Sequence, residues 1–512
     1  MNFKNLARIL SLVLVVIMTV SVIGCGKTNT DNDPKTTGKP TDTTKAPDDT
    51  SNPGNEVEVI TPTLPEANYG GYEFRILAKG QTTNWWTVGI DAEERNGDPV
   101  NDATLARNNK IEQLFNITIS EIDNSGVSGA VQQAVLSDAD DFDLAVGNTS
   151  HLASLAPKYV VDWKTIPWVD LSKPWYDQNA VRELSIEGKL YTVNGDLVLN
   201  DDNASWCVLY NPTLQEDYDT VPNNLYELVD NGTWTLDKMY EIAQTVTHEN
   251  SGDDKLDEND IWGFHTEAWN TYAMLIASGE KLASKNADDI PYLTANTEKF
   301  ATVFEWAVKM QNDESTTFMN EKGAEVPGSN VATIGGIRLF SKGATGTGGS
   351  LFRMAGVYTI TQARRVAESD IDIGVLPMPK WEVEQEKYYT PITTNATTLF
   401  VPKNASDLDR TGAIIEALSA EARYTTREAF YETTLKTKYS PEKDSARMLD
   451  LVTDSRVFDI GSVYGWGSMN SKITSMTKDG TSSWASTWRS LERVATKALE
   501  KSIENFRKES AE

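Results

Sequence analysis

The chain has 512 residues and a formal net charge of −28, with 75 acidic against 47 basic side chains. That balance disfavours nucleic acid and anionic lipid as partners of the folded part and suits neutral or cationic solutes. Two cysteines, Cys25 and Cys207, leave no disulfide framework, and the three histidines, His151, His248 and His265, lack zinc-type spacing.

Lys4 and Arg8 precede an apolar run over 9–22 that is broken only by Ser11, Thr19 and Ser21. This is the pattern of a secretory leader, too short and wrongly flanked for a membrane-spanning helix. It ends in Val22, Ile23, Gly24 and Cys25, which resembles the lipobox of bacterial lipoproteins. The resemblance implies cleavage after residue 24 and acyl chains on Cys25, and two or more chains anchor a protein stably in a bilayer. The expected location is extracytoplasmic, lipid-anchored on the outer face of the cell membrane; an uncleaved anchor with a chance cysteine is the alternative. Loss of Lys4 and Arg8 with the leader takes the charge from −28 to −30.

Residues 25–68 are Thr, Asp, Pro, Asn, Gly and Lys rich, with no aromatic before Tyr69, as in a disordered spacer. The roughly 440 residues beyond it exceed one ordinary core and predict two lobes. Residues 72–78 alternate as a first strand, and 98–115 has helical spacing through Val100, Thr104, Ile111, Leu114 and Phe115. A strand over 116–120, a helix over 127–136 and a strand over 142–146 follow. Such alternation predicts a largely parallel α/β sheet, whose ligands collect outside the carboxyl ends of the strands. The loops 81–86 and 148–151 would lie there. Residues 190–210 read as two strands broken by the polar patch 200–203, and Thr235 caps a helix beside Trp234.

No Gly-x-Ser-x-Gly elbow, phosphate loop or dinucleotide fingerprint occurs, and the glycine cluster 343–349 lacks a Lys-Ser/Thr ending. Cys207, inside the apolar run 206–210, reads as buried packing. No cofactor is required by any motif.

An ordered series of short motifs then resembles the extracellular solute-binding proteins of ABC transporters, the family 1 type that serves mostly sugars. It runs through Asp-Phe-Asp-Leu-Ala-Val at 141–146, Gly-Lys-Leu-Tyr at 188–191 and Leu-Tyr-Asn at 209–211. Gly-Thr-Trp-Thr-Leu-Asp-Lys at 232–238, Asp-Ile-Trp-Gly-Phe at 260–264 and Asp-Ile-Gly-Val-Leu-Pro-Met-Pro-Lys at 372–380 complete it; the run 343–350 departs from the pattern. The resemblance implies a two-lobed periplasmic-binding-protein-like α/β fold with an interlobe cleft and several hinge crossings, near 195–202, 376–380 and 430–437. Residues 69–198 with 378–432 would form the first lobe, and 199–377 with 433–512 the second, with the C-terminal helices over 484–506 packed on the second.

A sugar ring offers an apolar face to aromatic rings and a rim of hydroxyls to planar polar groups. Fourteen Trp are present, several in polar loops. Trp466, flanked by Gly465 and Gly467 without periodicity, is singled out first as an exposed ring. Trp85 and Trp86 follow the first strand and Asn148 the third; each could face the cleft. Trp206 fits cleft or core, while Trp269 and Tyr272, three apart, fit the cleft or a helix anchor. By the resemblance Tyr358 falls near a cleft aromatic, and Arg353 could bind hydroxyls or pair with an acid.

Glu249, Ser251, Asp253, Lys255, Asp257 and Asp260 fall at positions 1, 3, 5, 7, 9 and 12 of a calcium loop, with Asp254 where glycine is usual. A structural calcium and a solvated acidic turn both fit; the resemblance implies that relatives often carry such a loop.

The expectation is therefore a monomeric, non-enzymatic lipoprotein that captures a solute, a neutral oligosaccharide above all, and delivers it to an ABC permease. The alternatives are a glycan-degrading surface lipoprotein, which needs two carboxylates across a bond, a purely adhesive surface protein, or a binding protein for a peptide or other non-sugar solute.

Overall fold

Alternating apolar residues between short turns build a four-stranded and a five-stranded sheet in the computed structural model. The structure describes residues 59–79, 90–322, 340–341, 348–360, 372–432 and 443–509. The expected leader, Cys25, most of the expected spacer, Trp85 and Trp86 lie outside the described residues. In chain order the strands are β1 (Tyr72–Ala78), β2 (Ile117–Asp123), β3 (Leu144–Asn148), β4 (Trp206–Tyr210) and β5 (Ile261–Thr266). Then come β6 (Thr317–Met319), β7 (Gly349–Gly356), β8 (Gly374–Leu376) and β9 (Thr397–Phe400).

The first sheet has the order β9-β3-β1-β2; β1 is parallel to both neighbours, and β9 returns antiparallel along β3. Helices α1 (Pro99–Phe115) and α2 (Val127–Ser137) supply its crossovers. The side chain of Asp98 accepts from the N–H groups of Val100 and Asn101, Pro99 opens α1, and Asn116 ends it at φ 51°. Packing begins ahead of the first strand, since Leu64 and Ala67 already lie against this core.

The second sheet has the order β8-β4-β7-β5-β6, with β4 antiparallel to β7 and β8, and β5 parallel to β7 and β6. Its helices include α3 (Leu236–Gln244), α4 (Asn270–Ala277) and α5 (Glu298–Gln311). Thr235 caps α3, accepting from the N–H of Lys238, and Trp234 is fully buried with its Nε1 donating to the Pro377 carbonyl at 2.9 Å. Cys207 is buried, as its apolar neighbours require.

Two expectations change. Residues 200–203 form a helical turn, and Val193 makes only a single bridge, to Leu399. The cause is Arg456, whose guanidinium lies 2.8 Å from Asp202 and 3.6 Å from Asp201. A helical turn lets neighbouring carboxylates share one cation, whereas a strand points them to opposite faces. The last helices also divide their allegiance. After α6 (Leu408–Tyr424) and α7 (Met469–Lys478), helix α8 (Trp484–Glu509) runs for 26 residues, about 39 Å. Trp484 and Trp488 pack with Phe300 and Phe304 of α5, but Leu499, Ile503 and Phe506 belong to the first core, where Phe506 meets Tyr191 edge-on at 5.1 Å. The helix is long enough to span both cores, so it does not pack on the second alone.

Candidate functional site

Strand register decides which loops meet. Trp206, the first residue of β4, pairs with Gly356, the last of β7. His265 of β5 pairs with Arg353 of the same β7, so residues 267–269 and 357–358 leave the sheet at the edge where β4 begins. In the first sheet Thr397 pairs with Asn148, which sets the turn before β9 beside the carboxyl end of β3. A cavity of about 490 Å³ lies between these edges. Three rings, Trp206, Trp269 and Tyr358, and one carboxylate, Glu267, line it from the second sheet. Thr393, Thr394 and Asn395 line it from the first, and Asn470, Ser471 and Thr474 from α7.

The rings are held rather than merely adjacent. The ring centroids of Trp206 and Trp269 are 4.6 Å apart with planes at 57°, and Tyr358 stands edge-on to Trp206 at 6.1 Å. The Nε1 of Trp206 donates to the Oδ1 of fully buried Asn270 at 3.0 Å, and the Nδ2 of Asn270 donates to Thr266 Oγ1 and the Met354 carbonyl. Gly356 is required beneath them: a Cβ there would stand 2.5 Å from the Tyr358 ring and 3.1 Å from that of Trp206.

Glu267 is braced from behind. An Arg353 Nη2 lies 3.3 Å from its Oε1, and the Arg353 side chain is only 2% exposed. The Nη1 of Arg353 lies 3.0 Å from both nitrogens of the His265 ring, and the Nε2 of that ring stands 2.5 Å from Asn320 Oδ1. Burial, with Arg353 beside it, holds the imidazole well below its usual pKa, so it is neutral and accepts. Burial pushes the Glu267 carboxyl up; Arg353 opposes that shift and Glu321 adds to it. Arg353 thus takes the ion-pair role of the two open to it and is not part of the cavity wall.

The remaining expected residues sort by geometry. Asn148 stands at the edge, its Nδ2 donating to the Oδ1 of Asn395 at 3.4 Å. Tyr272 is buried, packs 5.4 Å from Trp269 and donates to Asp459 at 3.1 Å, which is the helix-anchor role. Trp466 overturns the expectation of an exposed ring. It is 2% exposed, stacks on Tyr464 at 5.2 Å, and donates from Nε1 to Ser502 at 2.9 Å, away from the cavity. Its glycines serve the backbone: Gly465 and Gly467 have φ of 64° and 67°, and a Cβ on Gly467 would meet that of Ala495 at 2.7 Å.

In the acidic loop, Asp254 adopts φ 60°, the conformation glycine would supply at that position of a calcium loop. The carboxylates accept hydrogen bonds from the loop's own amides. Asp260 accepts from Asn250, Ser251 and Asp257, Glu249 from Gly252 and Asp253, and Asp253 from Lys255. Among the described residues no three acidic, His or Cys side chains gather as a metal set.

Sequence reasoning missed Glu267, the turn 393–395 and the α7 residues. The only available signals were a polar Thr-Thr-Asn step between strands and the spacing of four between Asn470 and Thr474, which shares a helix face. Asn470 donates to Ser462 Oγ, and its own Oδ1 is buried without a donor.

No family model matches the sequence, and no curated protein matches it. Solved structures do. The cyclic α-maltosyl-1,6-maltose-binding protein of Arthrobacter globiformis is 15% identical, with a TM-score of 0.55 over 85% of this chain and 100% of its own. UgpB from Mycobacterium tuberculosis, in complex with glycerophosphocholine, is 13% identical with a TM-score of 0.54, covering 85% and 99%. An ABC transporter solute-binding protein from Thermotoga lettingae, bound with α-D-tagatose, is 11% identical with a TM-score of 0.51, covering 85% and 100%. The likeness carries the fold: these structures share the two-lobed α/β architecture of this chain.

Proposed function

We propose that this protein captures a carbohydrate outside the cytoplasmic membrane and presents it to an ABC importer. The observation that carries this is the position and chemistry of the cavity. It lies at strand ends of two separate sheets, with aromatic faces on one wall and neutral hydroxyl and amide groups on the other. Aromatic faces cover the C–H side of a sugar ring, and the Thr and Asn side chains satisfy its hydroxyls. Closure is driven by contacts that a ligand makes with both walls at once. Of the three structural neighbours described above, one is a cyclic α-maltosyl-1,6-maltose-binding protein and one is bound with α-D-tagatose, which supports the same solute class. The leader and lipobox around Cys25 support anchoring on the outer face of the membrane.

A thermal-shift screen against mono- and oligosaccharides, amino acids and short peptides tests this. A ligand at about a hundred times its Kd stabilises the native state by about 2.7 kcal/mol. An oligosaccharide hit that is lost in Trp206→Ala supports capture at this cavity. Release of reducing ends from a glycan panel would replace binding with hydrolysis as the function, and a panel with no hit would remove carbohydrate capture.

A further inference from the structure

Arg456 stands where the chain passes from one core to the other. Met448, Leu449 and Val452 of the helix Lys443–Asp454 pack in the second core, and Phe458 and Ile460 in the first. Its guanidinium reaches two further segments. The Nη2 lies 2.8 Å from Asp177, whose other oxygen caps the helix Gln178–Glu183 beside the first core. The Nη1 lies 2.8 Å from Asp202 and 3.6 Å from Asp201, in the helical turn that leads into β4 of the second sheet. Its backbone pairs with Thr390, in the connection from β8 of the second sheet to β9 of the first. One residue thus joins three passages between the cores. The same segments carry the cavity walls: Ser205 bridges Ile392, and the Thr393 N–H donates to the Ala204 carbonyl at 3.3 Å. Trp206 and Thr393, next along those segments, line the cavity, whereas Arg456 and its three carboxylates do not.

We propose that Arg456 is a positioning residue for solute capture: it ties the passages between the cores in the arrangement that sets both cavity walls facing one solute, and so raises affinity without touching that solute. This rests on the capture reading above. Lobe opening turns the chain about these passages, whose residues absorb the change in backbone torsion. Groups carried on separate passages then move apart, so the short contacts of the guanidinium to Asp177 and Asp202 favour the gathered form. A solute that needs both walls binds with an apparent Kd equal to its intrinsic value divided by the gathered fraction. Arginine suits the task because its planar fork donates from two edges at once, which a single ammonium does not.

The test pairs titration calorimetry, with glucose and N-acetylglucosamine oligomers as probes, with X-ray scattering of the solute-free protein. The variants are Asp177→Asn, which keeps an oxygen to cap its helix, and Arg456→Lys, which keeps the charge but not the fork. Each should weaken Kd about tenfold, by lowering the gathered fraction to about a tenth, and enlarge the solute-free radius of gyration. Saturating solute should restore the parent's radius. The double variant should weaken Kd no further than the larger single change, because both remove one shared contact. Trp206→Ala, which removes a wall, should weaken Kd at the parent's radius. Asp177→Asn carries the test if Arg456→Lys does not fold. A folded variant with Kd within twofold of the parent overturns the inference, and so does weaker binding without a change in radius. If the parent binds no probe, the capture reading fails by itself and the radii decide: equal radii overturn the tie between the passages, and larger ones in the variants support it.

Discussion

The indole of Trp206 donates to Asn270 at 3.0 Å, so a side chain with no exposure sets the pitch of a ring that faces the cavity. Removing the ring and removing its brace should therefore differ in kind. Trp206→Ala or Trp269→Ala should weaken solute binding by about 2 kcal/mol, roughly thirtyfold in Kd. Asn270→Ala should cost about 1–3 kcal/mol of stability, because Trp206 and Thr266 lose a buried partner, with a smaller effect on Kd. Titration calorimetry and urea melts on the three variants separate the two outcomes.

Trp466 is buried against Tyr464 and Ser502 and does not line the cavity. Trp466→Ala should lower unfolding free energy by about 3–5 kcal/mol while Kd stays within about twofold. A large loss of affinity in a variant that still folds would return Trp466 to the binding surface.

Arg456 gathers Asp177, Asp202 and Asp201 at 2.8, 2.8 and 3.6 Å, where residues of the two cores meet. Arg456→Met should cost about 3–5 kcal/mol at neutral pH by orphaning buried carboxylates. The deficit should shrink on acidification, because orphaned carboxylates take up protons more readily than paired ones. Urea midpoints at neutral and acidic pH measure both effects.

Glu416 of α6 is fully buried, and desolvation pushes its carboxyl up to about 7 despite the hydrogen bond from the Tyr176 hydroxyl at 2.7 Å. Its unfolded value is near 4.5, so between those pH values the folded state holds the extra proton. The stabilisation is complete below the unfolded pKa and is lost as pH rises through the folded one, on the order of 3 kcal/mol in all. Glu416→Gln should match the parent near pH 5 and exceed it in melting temperature near pH 8; equal pH profiles would refute the shift.

Much of the fold was legible because its signals are local. Asp98 with Pro99 and Thr235 with Lys238 announce helix starts within four residues, and the alternation over 72–78 needs only its own side chains. The site was partly legible. Trp206, Trp269 and Tyr358 were found from residue type and the resemblance, while Glu267 and the turn 393–395 carried no distinguishing pattern. Trp466 misled because glycine flanks signal a special backbone, and that backbone equally serves an exposed ring or a tight approach such as that of Ala495.

Sequence alone determined the acidic balance, the α/β alternation and the supply of aromatic residues, since each is a property of composition or short range. Tertiary structure decided which residues share a cavity. Trp206 meets Tyr358 because β4 pairs with β7 across 150 residues, and Asn395 meets Asn148 because β9 folds back along β3 across almost 250. Those registers arise from the summed packing of two sheets, and no local run of side chains encodes them.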